Sequence, residues 1–205
     1  MISRVRSQPT VVSQVERIAR LMGRTSTISF WIQIFLGVIG SILLLLTTPM
    51  LFARTSPTPG AVPVGPGPGS IGGLAVAVVA MLTLLASIYY TFTNTQHARR
   101  LQAPKNARPS KADTLKRLRL GVLINLFGLG LALVGAEAVT GQLTNKLLMQ
   151  SSPFNLGFVD PSRFIQALDV FVVLGNTHGM FAHFCNLTAN LWLIDRISKA
   201  GSGGD

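Results

Sequence analysis

Four long apolar segments dominate the chain and constrain its fold more than any other feature. They lie at residues of about 27–53, 71–95, 118–139 and 164–194. A helix that crosses the hydrocarbon core of a bilayer needs roughly 20 residues, so each segment is long enough to do so. Only 12% of the 205 residues are charged, whereas about a quarter are charged in a typical soluble domain. The sequence therefore predicts an all-α integral membrane four-helix bundle.

The net charge of +11 is distributed unevenly along the chain. Of eighteen basic residues, five precede the first segment, eight lie between or flank the second and third, and two follow the fourth. Four spans would bring these fifteen residues to one side of the membrane, and basic residues favour the cytoplasmic side. We therefore expect both termini in the cytoplasm. The basic residues fit a topology signal and contact with anionic lipid, so we expect no nucleic-acid partner.

The segment before the first span is basic and amphipathic. In residues 9–24, PTVVSQVERIARLMGR, the apolar side chains share one helical face and the arginines lie largely off it. This pattern is typical of a helix lying on a membrane surface, and the alternative is a helix that caps the bundle. The predicted units are thus a cytoplasmic N-terminus (1–26) with an interfacial helix, a membrane domain (27–197) and a flexible tail (198–205). A suitable cleavage site is absent, so we expect the first span to remain uncleaved.

Two of the connections have clear sequence signals. Residues 54–70 are rich in proline and glycine, which predicts a flexible loop on the outer side. Residues 96–116 are polar and basic, and Pro104 and Pro109 interrupt any helix there. Ser110, with Asp113 three residues later, fits the start of a helix that continues into the third span.

A row of polar residues follows the fourth segment at a seven-residue spacing: Asp169, Asn176, His183 and Asn190. Seven residues are nearly two helical turns, so these side chains lie on one face, which Asn186 shares. We call this face the polar stripe. The third segment has a strip of small residues with one amide: Gly121, Asn125, Gly128, Ala132 and Gly135. Small residues let membrane helices approach closely, so we expect this small-residue strip to face the polar stripe.

The polar stripe has two interpretations. In the first, Asp169 and Glu137 form an outer vestibule that attracts a cation, and His183, Asn176 and Asn186 line its path. Carboxylate oxygen and imidazole nitrogen suit Fe(II) or Mn(II). In the second, the same side chains only hold neighbouring helices together by hydrogen bonds. His178 lies off the stripe and is the weaker candidate.

The sequence indicates no enzyme and no cofactor. It lacks a glycine-rich phosphate loop, a paired-histidine zinc motif and a recognisable nucleophile motif. The single cysteine, Cys185, excludes an intrachain disulfide and a cysteine-pair metal site. We interpret Cys185 as a small buried apolar residue.

Both ends of the chain resemble a known family. The stretches are RIARLMGRTSTISFWIQIFLGVIGSILLLL (17–46) and ALDVFVVLGNTHGMFAHFCNLTANLWLIDRI (167–197). They are similar to the opening and closing segments of a four-span family of cyanobacteria and chloroplasts. That family includes the "permease in chloroplasts", also described as a subunit of the inner-envelope protein translocon. The most specific matches are Asp169, Asn176, Ala182-His183-Phe184 and Leu191-Trp192.

The resemblance implies a permease-like role in iron transport or homeostasis. The alternative is a subunit of a protein-translocation or membrane-assembly apparatus without transport activity. Absence of a long transit sequence favours the bacterial form, in the plasma membrane or thylakoid of a cyanobacterium. The expected partners are membrane lipid, a divalent metal substrate, and further copies of the chain or other membrane proteins, since four short helices enclose little room.

Overall fold

Four long helices account for nearly all of the residues that the computed structural model describes, which are 11–53, 68–150 and 167–200. The helices are α1 (Val11–Ala53), α2 (Pro68–Arg100), α3 (Lys111–Gln150) and α4 (Ala167–Lys199). A short 3-10 turn, Lys105–Ala107, lies between α2 and α3. These three ranges contain no strand, so this part of the chain is all-α, as the sequence predicts.

The helices extend beyond the predicted spans. α2 begins at Pro68, so the end of the predicted 54–70 loop is helical, and α4 includes the first two residues of the predicted 198–205 tail. α3 continues eleven residues past position 139. The rest of the outer loop and the predicted start of the fourth span at 164 lie outside the described residues.

The predicted N-terminal amphipathic helix is continuous with the first predicted span. α1 runs without a break from Val11 through the expected boundary at residue 26 to Ala53. Ala19 and Met22 are completely buried and pack in one cluster with Ala98, Leu118 and Leu193. The apolar face of this segment therefore covers the end of the bundle, which was the alternative interpretation of the sequence.

The same apolar cluster defines the topology of the bundle. It joins the start of α1, the end of α2, the start of α3 and the end of α4, and its members are Ala19, Met22, Ala98, Leu101, Leu118, Leu193 and Ile197. Consecutive helices are therefore antiparallel. Each helix contacts the next one along the chain, and α4 packs against α1, which closes the ring. We call the end with this cluster the basic end, because most described basic residues lie near it.

Two glycines mark the closest approach of α1 and α4. A Cβ added to Gly40 would lie 3.0 Å from the carbonyl oxygen of Gly175, and one added to Gly175 would lie 3.1 Å from the oxygen of Gly40. Both positions therefore need a residue without a side chain so that the backbones can touch. Close backbone contact of this kind is how small residues stabilise helix pairs in lipid.

The connection before α3 has the predicted cap. The backbone N–H of Asp113 donates to the Ser110 hydroxyl at 3.0 Å, and that hydroxyl donates to the Asp113 carboxylate at 2.6 Å. The hydroxyl thereby satisfies one of the free N–H groups at the start of the helix.

The outer surface of the bundle is strongly apolar. Trp31, Phe35 and Phe127 are each more than 60% exposed. Among the described residues, two stretches are long and apolar enough to cross a membrane, Gln14–Leu46 and Lys111–Asn145. Their most apolar windows are only 22% and 17% buried, whereas an apolar helix of a soluble core is mostly buried. Exposed apolar surface of this extent is typical of contact with lipid or a partner.

Candidate functional site

A cluster of buried polar side chains connects all four helices inside the bundle. α1 contributes Gln33, whose Nε2 donates to Ser87 Oγ on α2 at 2.6 Å. One turn along α2, the Thr91 hydroxyl donates to Gln33 Oε1 at 2.9 Å. All three side chains are at most 1% exposed. The two helices are therefore joined by a closed pair of side-chain hydrogen bonds.

α3 and α4 complete this cluster, which we call the polar network. Ser87 Oγ donates to Asn125 Oδ1 at 2.7 Å, and Asn186 Nδ2 donates to Thr91 Oγ1 at 2.8 Å and to Ser87 Oγ at 3.2 Å. His183 Nδ1 lies 3.1 Å from Asn125 Oδ1. Side chains from α1, α2, α3 and α4 thus meet at one level of the bundle.

The hydrogen bonds fix the tautomer of His183. Asn125 Nδ2 donates to the backbone oxygen of Gly121 at 2.7 Å, which orients the amide with Oδ1 towards Ser87 and His183. An amide oxygen only accepts hydrogen bonds, so His183 Nδ1 must carry the proton. In the neutral ring, Nε2 then bears the free lone pair. That lone pair can take a proton or bind a metal ion.

The same nitrogen, His183 Nε2, is buried and has no hydrogen-bond partner among the described residues. The ring lies directly on Gly128, where an added Cβ would be 2.8 Å from Nδ1 and closer still to Cε1 and Nε2. The imidazole therefore occupies the space that a side chain at position 128 would fill. Asn190 Nδ2 is also buried without a described partner, and it lies 3.0 Å from the position of a Cβ on Gly121.

The predicted contact between the polar stripe and the small-residue strip is confirmed. Asn176 Nδ2 donates to the backbone oxygen of Ala132 at 2.8 Å. Seven residues further along α4, His183 meets Asn125, which is seven residues earlier on α3. The two antiparallel helices therefore keep one register over two turns, and both sequence patterns describe the same interface.

The five residues predicted to form a cation path lie in different surroundings. His183 and Asn186 are buried in the polar network. Asn176 is half-buried two helical turns before His183 on α4, where it bonds to Ala132. Glu137 is exposed on α3, thirteen residues before its last residue. Asp169 belongs to the first turn of α4, and its side chain lies outside the described residues. Within the described ranges, no three His, Cys, Asp or Glu side chains form a metal-binding group.

Sequence reasoning missed three members of the polar network, Gln33, Ser87 and Thr91. A signal was present, because Ser26, Ser29 and Gln33 on α1, and Ser87, Thr91 and Asn94 on α2, are spaced three and four residues apart and are all buried. This is the spacing of one helical face. Serine and threonine hydroxyls often bond only to their own helix, so in a sequence they are weak indicators of contact between helices.

His178, the weaker candidate, and the single cysteine both lie outside the network. His178 Nδ1 donates to the backbone oxygen of Leu174 on its own helix at 2.8 Å, as expected for a side chain off the polar stripe. Cys185 is partly buried rather than buried.

His97 lies at the basic end, beyond the predicted second span. Its Nε2 is 3.1 Å from Thr114 Oγ1, and that hydroxyl donates to the backbone oxygen of Ser110 at 2.9 Å. His97 therefore donates to Thr114. Burial, with the Arg117 and Arg100 charges nearby, lowers the pKa of His97, and Asp113 opposes the shift.

Comparisons with known proteins identify the family. Residues 12–198 match the family described as "Protein of unknown function (DUF3611)". The chain is also 29% identical over 197 residues to "Protein TIC 21, chloroplastic" of Arabidopsis thaliana. That alignment covers 94% of the chain but 62% of the plant protein, so the chain spans about three fifths of that relative's length. No solved structure matches the chain with significance. The chain therefore belongs to the DUF3611 family, and the similarity to TIC 21 confirms the resemblance to the chloroplast inner-envelope family that the sequence indicates.

Proposed function

We propose that the chain is a four-span membrane protein with both termini in the cytoplasm, in the plasma membrane or thylakoid of a cyanobacterium. The apolar outer surface of the bundle and the basic residues at one end support this placement. Basic residues concentrate on the cytoplasmic side of membrane proteins. The proposed role is not enzymatic and needs neither a cofactor nor nucleic acid.

Within that membrane, the protein acts as a permease for a divalent first-row metal such as Fe(II). The observation that carries this proposal is His183 Nε2, a buried nitrogen with a free lone pair and no described partner. A hydrogen bond from the other ring nitrogen to a fixed acceptor orients the ring and raises the basicity of a metal-binding imidazole. Asn125 supplies that acceptor. His183 Nε2, which has no partner among the described residues, is therefore oriented to bind a cation.

The register of α3 and α4 suggests how a cation reaches His183. From the Asn176–Ala132 pair, seven residues back along α4 lead to Asp169 and seven forward along α3 lead to Val139, two residues past Glu137. Asp169 and Glu137 therefore share a level away from the basic end. There they attract the cation, and Asn176 lies between them and His183. Further ligands come from water or from another copy of the chain.

A flux assay tests the permease. Liposomes that contain the purified protein and a metal-sensitive dye should admit Fe(II). His183→Ala should lower the initial rate at least about tenfold, since loss of a residue that merely orients a metal ligand already weakens a site by about 10–100-fold. His178→Ala is the matched control, because His178 is on the same helix and, among the described residues, bonds to its own helix backbone. Wild-type protein that passes no divalent metal would disprove the permease. Equal rates in the two variants would remove His183 from the path.

A second candidate is a subunit of a protein-translocation or membrane-assembly apparatus. The polar network favours it, because a set of side chains that bond to one another within one copy needs no ligand to hold four helices together. The similarity to the plant protein TIC 21 is equally compatible with this role. Site-specific crosslinking from exposed Phe35 should then capture a precursor protein, and a transport-inactive His183→Ala protein should still capture it. A purely self-associated product would exclude this role.

A further inference from the structure

A broad groove of about 740 Å³ opens between α1 and α2 at the basic end. Its floor consists of small residues, Ala19 and Gly23 on α1 and Ala98 on α2. A Cβ on Gly23 would be 3.7 Å from the Cβ of Ala98, so the helices nearly touch there. Larger side chains on both sides form the walls. We call this feature the arginine groove.

The two ends of the arginine groove differ in chemistry. One end of the groove lies near the start of α1 and the end of α2. It is lined by three exposed arginines, Arg20, Arg24 and Arg99. No described carboxylate lies within ion-pair distance of their guanidinium groups. Their charge is therefore not neutralised by the described protein, and guanidinium groups match phosphate in geometry.

The other end of the arginine groove is apolar and aromatic. Trp31 and Ile28 are 63% and 61% exposed, although both line the groove. Phe30 stands between them and α2, with its ring centroid 5.7 Å from Trp31 and 5.8 Å from Phe92. Arg24 and Trp31 are seven residues apart, or about 10 Å along a helix. A single molecule with an anionic head and an apolar chain could contact both.

We propose that the arginine groove binds one anionic glycerophospholipid from the cytoplasmic leaflet. The phosphate lies among Arg20, Arg24 and Arg99, and an acyl chain runs along Ile28 and Trp31. This site rests on the proposed placement of the helices in a bilayer. Basic residues elsewhere at this end attract an anionic membrane surface in general, whereas the groove combines charge and apolar contact for one lipid molecule.

Trp31 is a built-in probe, because the chain has only two tryptophans, Trp31 and Trp192. A Trp192→Phe protein is placed in phosphatidylcholine vesicles with a minor fraction of brominated phosphatidylglycerol or brominated phosphatidylcholine. Bromine quenches tryptophan on contact. Trp31 should be quenched several-fold more strongly per brominated lipid by phosphatidylglycerol.

Removing the groove arginines should abolish this preference. A triple variant, Arg20→Gln, Arg24→Gln and Arg99→Gln, should lose at least about tenfold in relative affinity, since each basic residue near an anionic surface contributes about fivefold. A matched triple variant, Arg100→Gln, Lys116→Gln and Arg119→Gln, removes the same charge from exposed positions outside the groove. It should keep the preference. Equal losses in the two triple variants would overturn the site.

A Trp31→Phe protein separates failure of the site from failure of the membrane placement. Trp192, which lies beside Arg196 on α4, then reports whether the bundle is in lipid. If brominated phosphatidylcholine quenches neither tryptophan, the bilayer placement is wrong and the site with it. If it quenches Trp192 but Trp31 shows no preference for phosphatidylglycerol, the lipid site alone is wrong.

Discussion

His183 Nδ1 lies 3.1 Å from Asn125 Oδ1, across the interface between α4 and α3. Because Asn125 Oδ1 also accepts the Ser87 hydroxyl at 2.7 Å, the position of one imidazole proton depends on residues of two other helices. The pair is the structural link between helix packing and any chemistry at His183 Nε2.

The first prediction concerns that proton. At neutral pH, the ¹⁵N spectrum of labelled protein in detergent should show His183 with a protonated Nδ1 and an unprotonated Nε2. Adding Mn(II) should broaden the His183 resonance before that of His178, because the lone pair of Nε2 has no described protein partner. A protonated Nε2 in the neutral ring would contradict the hydrogen-bond assignment.

Asn125→Ala should destabilise the bundle more than loss of a single peripheral hydrogen bond. It leaves the Ser87 hydroxyl and the His183 N–H without their acceptor, and each buried unsatisfied donor costs about 1–3 kcal/mol. We expect the free energy of unfolding in detergent to fall by about 2–6 kcal/mol. Asn176→Ala, which loses one bond to Ala132 O, should lose about 0.6 kcal/mol. Similar losses in both variants would show that the network is not cooperative.

Gly128→Ala should push α3 and α4 apart, because the added methyl group would overlap the His183 ring. Overpacking of a close contact costs about 1–3 kcal/mol, so thermal unfolding in detergent should shift to lower temperature. The double variant with His183→Ala has no ring at this position and should recover part of the loss. The double variant should therefore lose less stability than the sum of the losses in the two single variants. Losses that simply add would argue against the contact.

Stability at the basic end should depend on pH through His97. Its folded pKa is below the ordinary value of 6.5, so the unfolded chain binds the proton more readily. Lowering the pH from 6.5 towards the folded pKa therefore removes stability, and raising it above 6.5 restores stability. His97→Gln should show a flatter decrease in melting temperature between neutral and mildly acidic pH. An unchanged slope would mean that the His97 environment does not survive in detergent.

Several parts of the fold follow directly from local sequence. Helix positions follow from the apolar segments, and the Ser110 cap follows from a hydroxyl placed three residues before an acidic side chain. The contact between α3 and α4 was predictable because one helix has polar residues and the other small residues at the same seven-residue period. These signals are periodic and need only one helix at a time to be recognised.

Other features depend on neighbours that the sequence does not reveal. The residues before position 27 look like a surface helix because they are basic and amphipathic. Their apolar face is buried because α2 and α4 end, and α3 begins, at the same level. Gln33 is likewise an isolated amide in an apolar segment until Ser87 and Thr91 are placed beside it. Local patterns identify the helices, but they do not show which residues of different helices lie at the same level of the bundle.

The polar network also bears on how the protein is made. Its last members in the chain, His183 and Asn186, belong to α4, which carries three buried polar residues and follows its partners in the sequence. When α4 leaves the ribosome, Gln33, Ser87, Thr91 and Asn125 have already been synthesised, since chains emerge from the amino end. The polar side chains of α4 therefore meet hydrogen-bond donors and acceptors that are already present on α1, α2 and α3. Biogenesis of this protein should fail at its final step when those earlier residues are lost.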